Sequence, residues 1–447
     1  MSMGRRKAEH QPDLWIPTAD FPQSPGHAFY DTLNGLLADA GFDRHVEGRC
    51  QEHYADGVGR ESLPPGVYFR MLPVGYFEAL DSLRATPWRC SDGLSLRAFL
   101  GVPFGEPTPD HSSPTKIRQR LPLDVHEQAF VFVSGAAHET KLLRGKTAAI
   151  GSTTLEANAA MRSIGRKDTG ADYKAYLKRL LAEQGVESPT GEDVRRFDRK
   201  RPKKGSNQEW GSPTDPDSRI AKMKGRRTHL AYEAEHTVDR GSALVLAASV
   251  YTADQADSAA LVDSLLQAQI NLARAGSEQE IEEAVADKGC HKAEAPADCE
   301  RWHARTYLPE PKRQKRTWAD KPAGWERALR ANRRRIRGAR SKRLQRKRSE
   351  YVERSFAHVC ETGGARRTWL RGLADVTKRH LVRVAGHNLA VLMRKRFGVG
   401  KPRTLQGASG GVGLRDGLYW LAAAPVGRTW GRAPSHALFV RRELPAL

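Results

Sequence analysis

Between Glu310 and Arg354 the sequence carries 18 Lys or Arg and five Asp or Glu, and from Arg327 to Arg348 it has no acidic residue at all. A run of like charge this dense is a solvated face, a disordered tail or a contact surface for a polyanion. Patterned sequence continues beyond it, so it lies inside a folded domain and points to nucleic acid. The segment supplies +13 of the net +22 that the whole chain carries. Its helical part reads as an arm bearing Arg330, Arg333, Arg334, Arg335, Arg337, Arg340, Arg343 and Arg346.

The 447 residues allow two to four domains at roughly 100 to 200 residues each. No apolar run approaches the roughly 18 residues that a membrane-crossing helix needs, and the longest, around Ala243 to Val250 and Leu418 to Val426, are short and interrupted. The N-terminus begins basic and continues polar, without the apolar stretch of a secretory signal, so the expected location is the cytoplasm. Five scattered cysteines, Cys50, Cys90, Cys290, Cys299 and Cys360, are expected to be free thiols there.

Residues 1–27 are polar and proline-rich and read as a disordered lead-in. Residues 28–128 read as a helical domain. Phe29, Leu33, Leu36 and Leu37 recur at helical spacing, as do Tyr68, Met71, Leu72, Tyr76, Phe77 and Leu80. Residues 129–397 read as an α/β domain that contains the basic arm 310–354. The runs Ala129 to Val133 and Thr147 to Ile150 are expected to be strands, followed by a helix over Asp172 to Gln184 and a connector from Glu187 to Pro216. Thr228 to Val238 and Ala243 to Tyr251 form a predicted hairpin. Ser258 to Ala273 is a predicted helix, Glu283 to Ala286 a strand, and Val376 to Phe397 a helix. Residues 398–447 form a Gly-rich tail with no assigned role.

Asp287 ends a short apolar strand in Ala286-Asp287-Lys288-Gly289-Cys290-His291, where an accessible carboxylate is either a metal ligand or a turn cap. Glu353, beside Arg354 on a helix, is either a site residue or a surface charge. Cys290, His291, Cys299 and His303 match no common zinc-finger spacing and read as free thiols and surface histidines. His229 and His236 read as hydrogen-bonded strand residues facing opposite sides, and Asp239 and Asp254 as turn residues.

Five strings taken in order carry a resemblance. They are Thr153-Thr154-Leu155-Glu156-Ala157-Asn158-Ala159-Ala160, Thr228-His229-Leu230-Ala231, Ala286-Asp287-Lys288-Gly289, Asn332-Arg333-Arg334-Arg335-Ile336-Arg337-Gly338 and Val352-Glu353-Arg354-Ser355-Phe356-Ala357-His358. Together they resemble the DDE transposases of bacterial insertion sequences, over roughly residues 28–397. The resemblance implies a ribonuclease-H-like mixed-sheet core and an N-terminal all-helical domain that helps bind transposon ends. It also implies a homodimer on double-stranded DNA, both inverted repeats and target, with no membrane partner. Three carboxylates would hold two Mg²⁺ or Mn²⁺ ions, which serve the attacking and leaving oxygens of a phosphodiester. Asp287 matches the second acid and Glu353 the third, as catalytic and metal-binding residues.

The first acid is expected after an isoleucine just before Thr153-Thr154, and this chain has Ile150-Gly151 there. Ser152 faces the other side of a strand, and Thr153 offers only a neutral oxygen. Two readings stand: a transposase that cleaves and joins DNA strands, and a catalytically impaired DNA-binding relic. A smaller departure follows Glu353, where relatives carry a lysine and this chain has Cys360, with Arg366 and Arg367 further on to contact phosphate.

Overall fold

The computed structural model describes Pro17 and residues 24–405, except 56–60, 81, 83, 202–204, 223–227, 256, 312–317, 320 and 323. Nearly all of the expected lead-in and the tail after Leu405 lie outside the described residues. The chain begins as helices: α1 (Pro25–Asp39), α2 (Phe42–Cys50), α3 (Pro65–Phe77), α4 (Ala85–Asp92), α5 (Leu94–Leu100), α6 (Ser113–Arg120) and α7 (Leu123–Glu139). Strand β1 (Thr147–Glu156) opens a mixed region with β2 (Gly165–Arg166), α8 (Tyr173–Glu183), α9 (Gly191–Lys200), β3 (Trp210–Gly211), β4 (Arg219–Lys222), β5 (Thr228–Asp239) and β6 (Val245–Thr252). Then come α10 (Asp257–Arg274), β7 (Glu283–Val285), α11 (Ala295–Arg301), β8 (Arg305–Tyr307), α12 (Trp325–Arg337), α13 (Ala339–Phe356) and α14 (Leu373–Phe397). A π-helical turn, Ala357–Thr362, prolongs α13.

The main sheet runs β4-β5-β1-β7-β8, and β6 pairs with β5 beyond β4. β1 is parallel to β7, and β7 to β8. β5 is antiparallel to β1, β4 and β6, so it alone runs against the rest. Alternation along β1 gives the sheet two covered faces. Ser152 pairs with Glu235, whose carboxylate accepts from Ser264 of α10. Gly151 pairs with His236, which meets α13 and α14.

The expected helices and hairpin are present with shifted ends, and Asp239 caps its turn by accepting from the Gly241 and Ser242 amides. The run Ala129 to Val133 is a correction: it lies within α7, not in a strand. Phe132 and Val133 enter the cluster that α1 to α5 share with α10 and one face of the sheet, while Phe130 and Val131 enter the cluster between sheet, α13 and α14. A helix buried on both sides needs no polar face, and its apolar run then mimics a buried strand. The connector Glu187 to Pro216 also hides α9, which opens with a capping box between Thr190 and Asp193. α14 crosses α3 closely, because a Cβ at Gly386 would stand 2.9 Å from that of Tyr76.

Two buried asparagines fasten helices to strand ends. Asn388 of α14 accepts from the Val245 amide at 2.9 Å and donates to the Val245 carbonyl at 2.8 Å. Asn332 of α12 does the same at Leu308, at 3.0 and 2.8 Å. Asn388→Ala strands two buried backbone groups, so it is expected to lower unfolding free energy by about 3 kcal/mol. A urea titration giving a loss below about 1 kcal/mol would show that the clamp is not needed there.

Candidate functional site

α13 crosses the strand ends in sequence. Arg340 reaches the buried Glu283 of β7 at 2.6 Å, and Gln345 donates to the carbonyls of Ala286 and Tyr307 at 3.1 and 2.7 Å. One turn on, the Arg348 guanidinium donates through Nε to the Ile150 carbonyl at 2.8 Å and through Nη2 to Asp287 Oδ2 at 3.2 Å. Further along, Ser355 Oγ pairs with His236 Nδ1 at 2.8 Å, and Phe356 stacks on the His236 ring at 4.0 Å.

Gly151 lies beneath this crossing. A Cβ there would stand 2.4 Å from Arg348 Nη2 and 2.9 Å from Val352 Cγ1. The side-chain space at position 151 is therefore filled by the arginine. Its side chain is 10% exposed, and a buried guanidinium requires acceptors, which Ile150 and Asp287 provide. Asp287 does two jobs: Oδ1 accepts from the Gly289 and Cys290 amides at 2.9 and 3.3 Å, capping the turn, while Oδ2 faces Arg348.

Glu353 follows Val352, on the exposed side of α13, and its carboxylate makes no hydrogen bond or ion pair with a described residue. The structure thus joins Asp287 to α13 through Arg348, not through a contact with Glu353. Thr153, on the Gly151 face, has its hydroxyl engaged by Arg366 at 3.0 Å.

Two divalent ions, as the resemblance implies, need a convergent set of oxygen donors. Among the described residues no group of three or more His, Cys, Asp or Glu side chains converges in a way that could hold a metal ion. Beside Asp287 stand a glycine and a cation. The residues present do not fit a two-ion centre. No disulfide joins the five cysteines, all of which are buried, and His291 is buried, where a surface histidine was expected.

The expected helical arm is, over its described part, two helices that meet at Gly338, α12 lying against β8 and α13 crossing β1, β5 and β7. Its arginines divide as well. Arg330 pairs with Glu326 at 2.5 Å, and Arg333 grips Glu310 with two bonds at 2.7 and 2.8 Å. Arg335 donates to the Thr306 carbonyl at 2.9 Å, and Arg340 is held by Glu283. Arg334, Arg337 and Arg343, with Lys342 and Arg346, are exposed and have no hydrogen-bonding or ionic partner among the described residues. The sequence did not single out Arg348 from its neighbours. The available signal was its helical spacing, four residues after Leu344 and four before Val352, both buried.

A histidine cluster braces the far end of α13. His236 Nε2 lies 2.9 Å from His380 Nε2 of α14, and His387 lies one further stretch along α14 against His358 and Tyr76. Burial pushes His236 well below its ordinary value, with the neighbouring His380 and His387 adding to it. Burial first, then the Arg379 charge, lowers His380 to about 3, and burial with His358 and nearby cations lowers His387 to about 3.

Residues 20–120 match a family described as a transposase domain (DUF772), and residues 266–393 match a transposase DDE domain. Neither a curated protein nor a solved structure matches the chain.

The depressed histidines are neutral in the fold and titrate near 6.5 when unfolded, so their contribution is full above about pH 6.5 and is lost as pH falls towards 3. Each adds a slope of up to about 1.4 kcal/mol per pH unit. Urea midpoints are expected to fall through this range and to fall less steeply in His380→Gln, which keeps a bonding partner for His236 but takes no proton. Equal slopes in the two proteins would remove the cluster from the account.

Proposed function

Since this chain belongs to the DDE transposases of insertion-sequence type, we propose that it binds the inverted-repeat ends of an insertion sequence and that strand cleavage is impaired in this copy. The strand order β6-β5-β1-β7-β8, with β5 alone reversed, supports a ribonuclease-H-like core. On that core the family's first acid belongs at position 151, its second at Asp287 and its third at Glu353. The observation that carries the impaired reading is the Arg348 guanidinium lodged over Gly151 and bonded to Asp287.

End binding draws on two parts of the chain. The helical region 28–128 reads the repeats, and the basic segment inserted at 310–354 contacts phosphates through Arg334, Arg337 and Arg343. Arg330, Arg333, Arg335 and Arg340 serve chiefly to hold that surface in shape, because their donors already have protein acceptors. Such binding falls steeply with salt as counterions are released. The protein acts in the cytoplasm, associated with the nucleoid, as a dimer that also engages target DNA.

The family's cutting chemistry is supplied by divalent ions, Mg²⁺ or Mn²⁺, held by three acids. Lacking one, this copy is expected to cleave about a thousandfold more slowly or worse, several kcal/mol in the barrier. Asp and Gly codons differ by one base, so a decayed copy needs a single mutation.

The purified chain, incubated with labelled inverted-repeat duplex and Mg²⁺ or Mn²⁺, is expected to retain the DNA without cutting it. Gly151→Asp, in which Arg348 must swing aside, is expected to regain cleavage, and Asp287→Asn, which keeps the turn cap, to abolish that gain. Cutting by the unaltered chain that vanishes in Asp287→Asn would instead establish an active transposase, and absence of any DNA retention would refute end binding.

A further inference from the structure

β1 runs on for seven residues past Ala149, its last partner on β7, so its C-terminal half projects beyond the level of Asp287. From Gly151 to Glu156 at about 3.3 Å per residue is ~16 Å. At that tip the loop after the π-helical turn is bolted to the strand. The Glu156 amide donates to the Arg366 carbonyl at 2.9 Å, and the Thr368 amide to the Glu156 carbonyl at 2.8 Å. Asn158 Nδ2 donates to the Trp369 carbonyl at 2.9 Å. From behind, Arg379 holds the carbonyls of Arg367 and Gly364 at 3.2 and 2.8 Å.

On this fixed loop Trp369 is 44% exposed. The Arg367 guanidinium lies over its ring at 4.7 Å. Arg371, two residues on, is exposed and has no ionic partner among the described residues, and Arg162 is exposed four residues past Asn158. The local acids are already engaged: Glu361 by Arg366 at 2.6 Å, Glu156 by Arg367 at 3.6 Å and His229 at 3.8 Å, and Asp215 and Asp217 by the Gly372 and Leu373 amides at 3.0 and 2.8 Å. No other large apolar side chain of this loop is exposed, so it lacks the apolar patch that a protein partner would cover. One half-exposed aromatic ring, with a cation over one face, suits a different ligand, because an unpaired base stacks on an indole while its phosphates meet arginine.

We propose that the exposed face of Trp369 is a stacking platform for an unpaired DNA base, with Arg371 on the adjoining phosphate and Arg367 backing the ring. This rests on the DNA-binding reading above and adds to it a preference for DNA with an open end or splayed strand. At 3.4 Å per nucleotide of one strand, ~16 Å corresponds to about five nucleotides between the base on Trp369 and the phosphate beside Asp287.

The full chain is titrated with a labelled blunt duplex and with the same duplex extended by a short thymidine overhang carrying one 2-aminopurine. Trp369→Ala is expected to weaken the overhang duplex about tenfold and the blunt duplex less than about twofold. Trp369→Phe keeps most of the difference, and 2-aminopurine emission is quenched by the unaltered chain but not by Trp369→Ala. Equal affinities of Trp369→Ala and the unaltered chain for the overhang duplex would overturn the platform while leaving duplex binding intact. A change in sedimentation with unchanged overhang binding would assign Trp369 to contact between copies and overturn it too. Failure of the unaltered chain to bind either DNA at low salt would overturn both this proposal and the DNA-binding reading.

Discussion

A buried guanidinium has to be satisfied where it lies, and in this protein that requirement ties a helix to the centre of a sheet. Arg348 reaches from α13 to the Ile150 carbonyl on β1 and to Asp287 beyond β7. It fits because position 151 has no side chain. Were a carboxylate there, the arginine would have to move, and Asp287 would lose its present counter-charge. Arg348, Asp287 and Gly151 thus form one electrostatic unit, in which the absence of one acid is answered by the intrusion of a cation. Only the arginine side of this pair is buried, the Asp287 side chain being 46% exposed, so loss of the Asp287 carboxylate leaves a buried guanidinium with the Ile150 carbonyl as its remaining acceptor here.

The rest of α13 follows from this anchorage. Arg340 and Gln345 fix its first half to β7 and β8, and Ser355 and Phe356 fix its end to His236. The same helix exposes Lys342, Arg343 and Arg346 between those attachments. A basic helix can therefore be both a structural brace and a polyanion surface, with the division made residue by residue according to which donors already have acceptors. Net charge over a window cannot make that division.

Much of the architecture is legible in the sequence. The helix expected over Ser258 to Ala273 is α10, and the hairpin expected over Thr228 to Tyr251 is β5 and β6, because both periods are clear and their turns carry Asp and Gly. Ala129 to Val133 misled because α7 is buried on both sides. α9 was hidden by charge, although Thr190 and Asp193 spelled its cap. At the site, Asp287 and Gly151 were readable from the strings around them. Arg348 was one arginine among many, and Asn332, inside an arginine-rich string, proved to be a backbone clamp. Contacts between residues some 200 positions apart, such as Arg348 with Ile150, leave no local period to read.

The most direct measurement is a Mn²⁺ titration of the full chain followed by electron paramagnetic resonance, which reports bound ion whether or not DNA is cut. With Arg348 occupying the space over Gly151, the unaltered chain is predicted to leave the aquo-ion signal undiminished. Gly151→Asp is predicted to take up Mn²⁺ and to lose it again when combined with Asp287→Asn. Stoichiometric uptake by the unaltered chain, abolished by Asp287→Asn alone, would contradict the account.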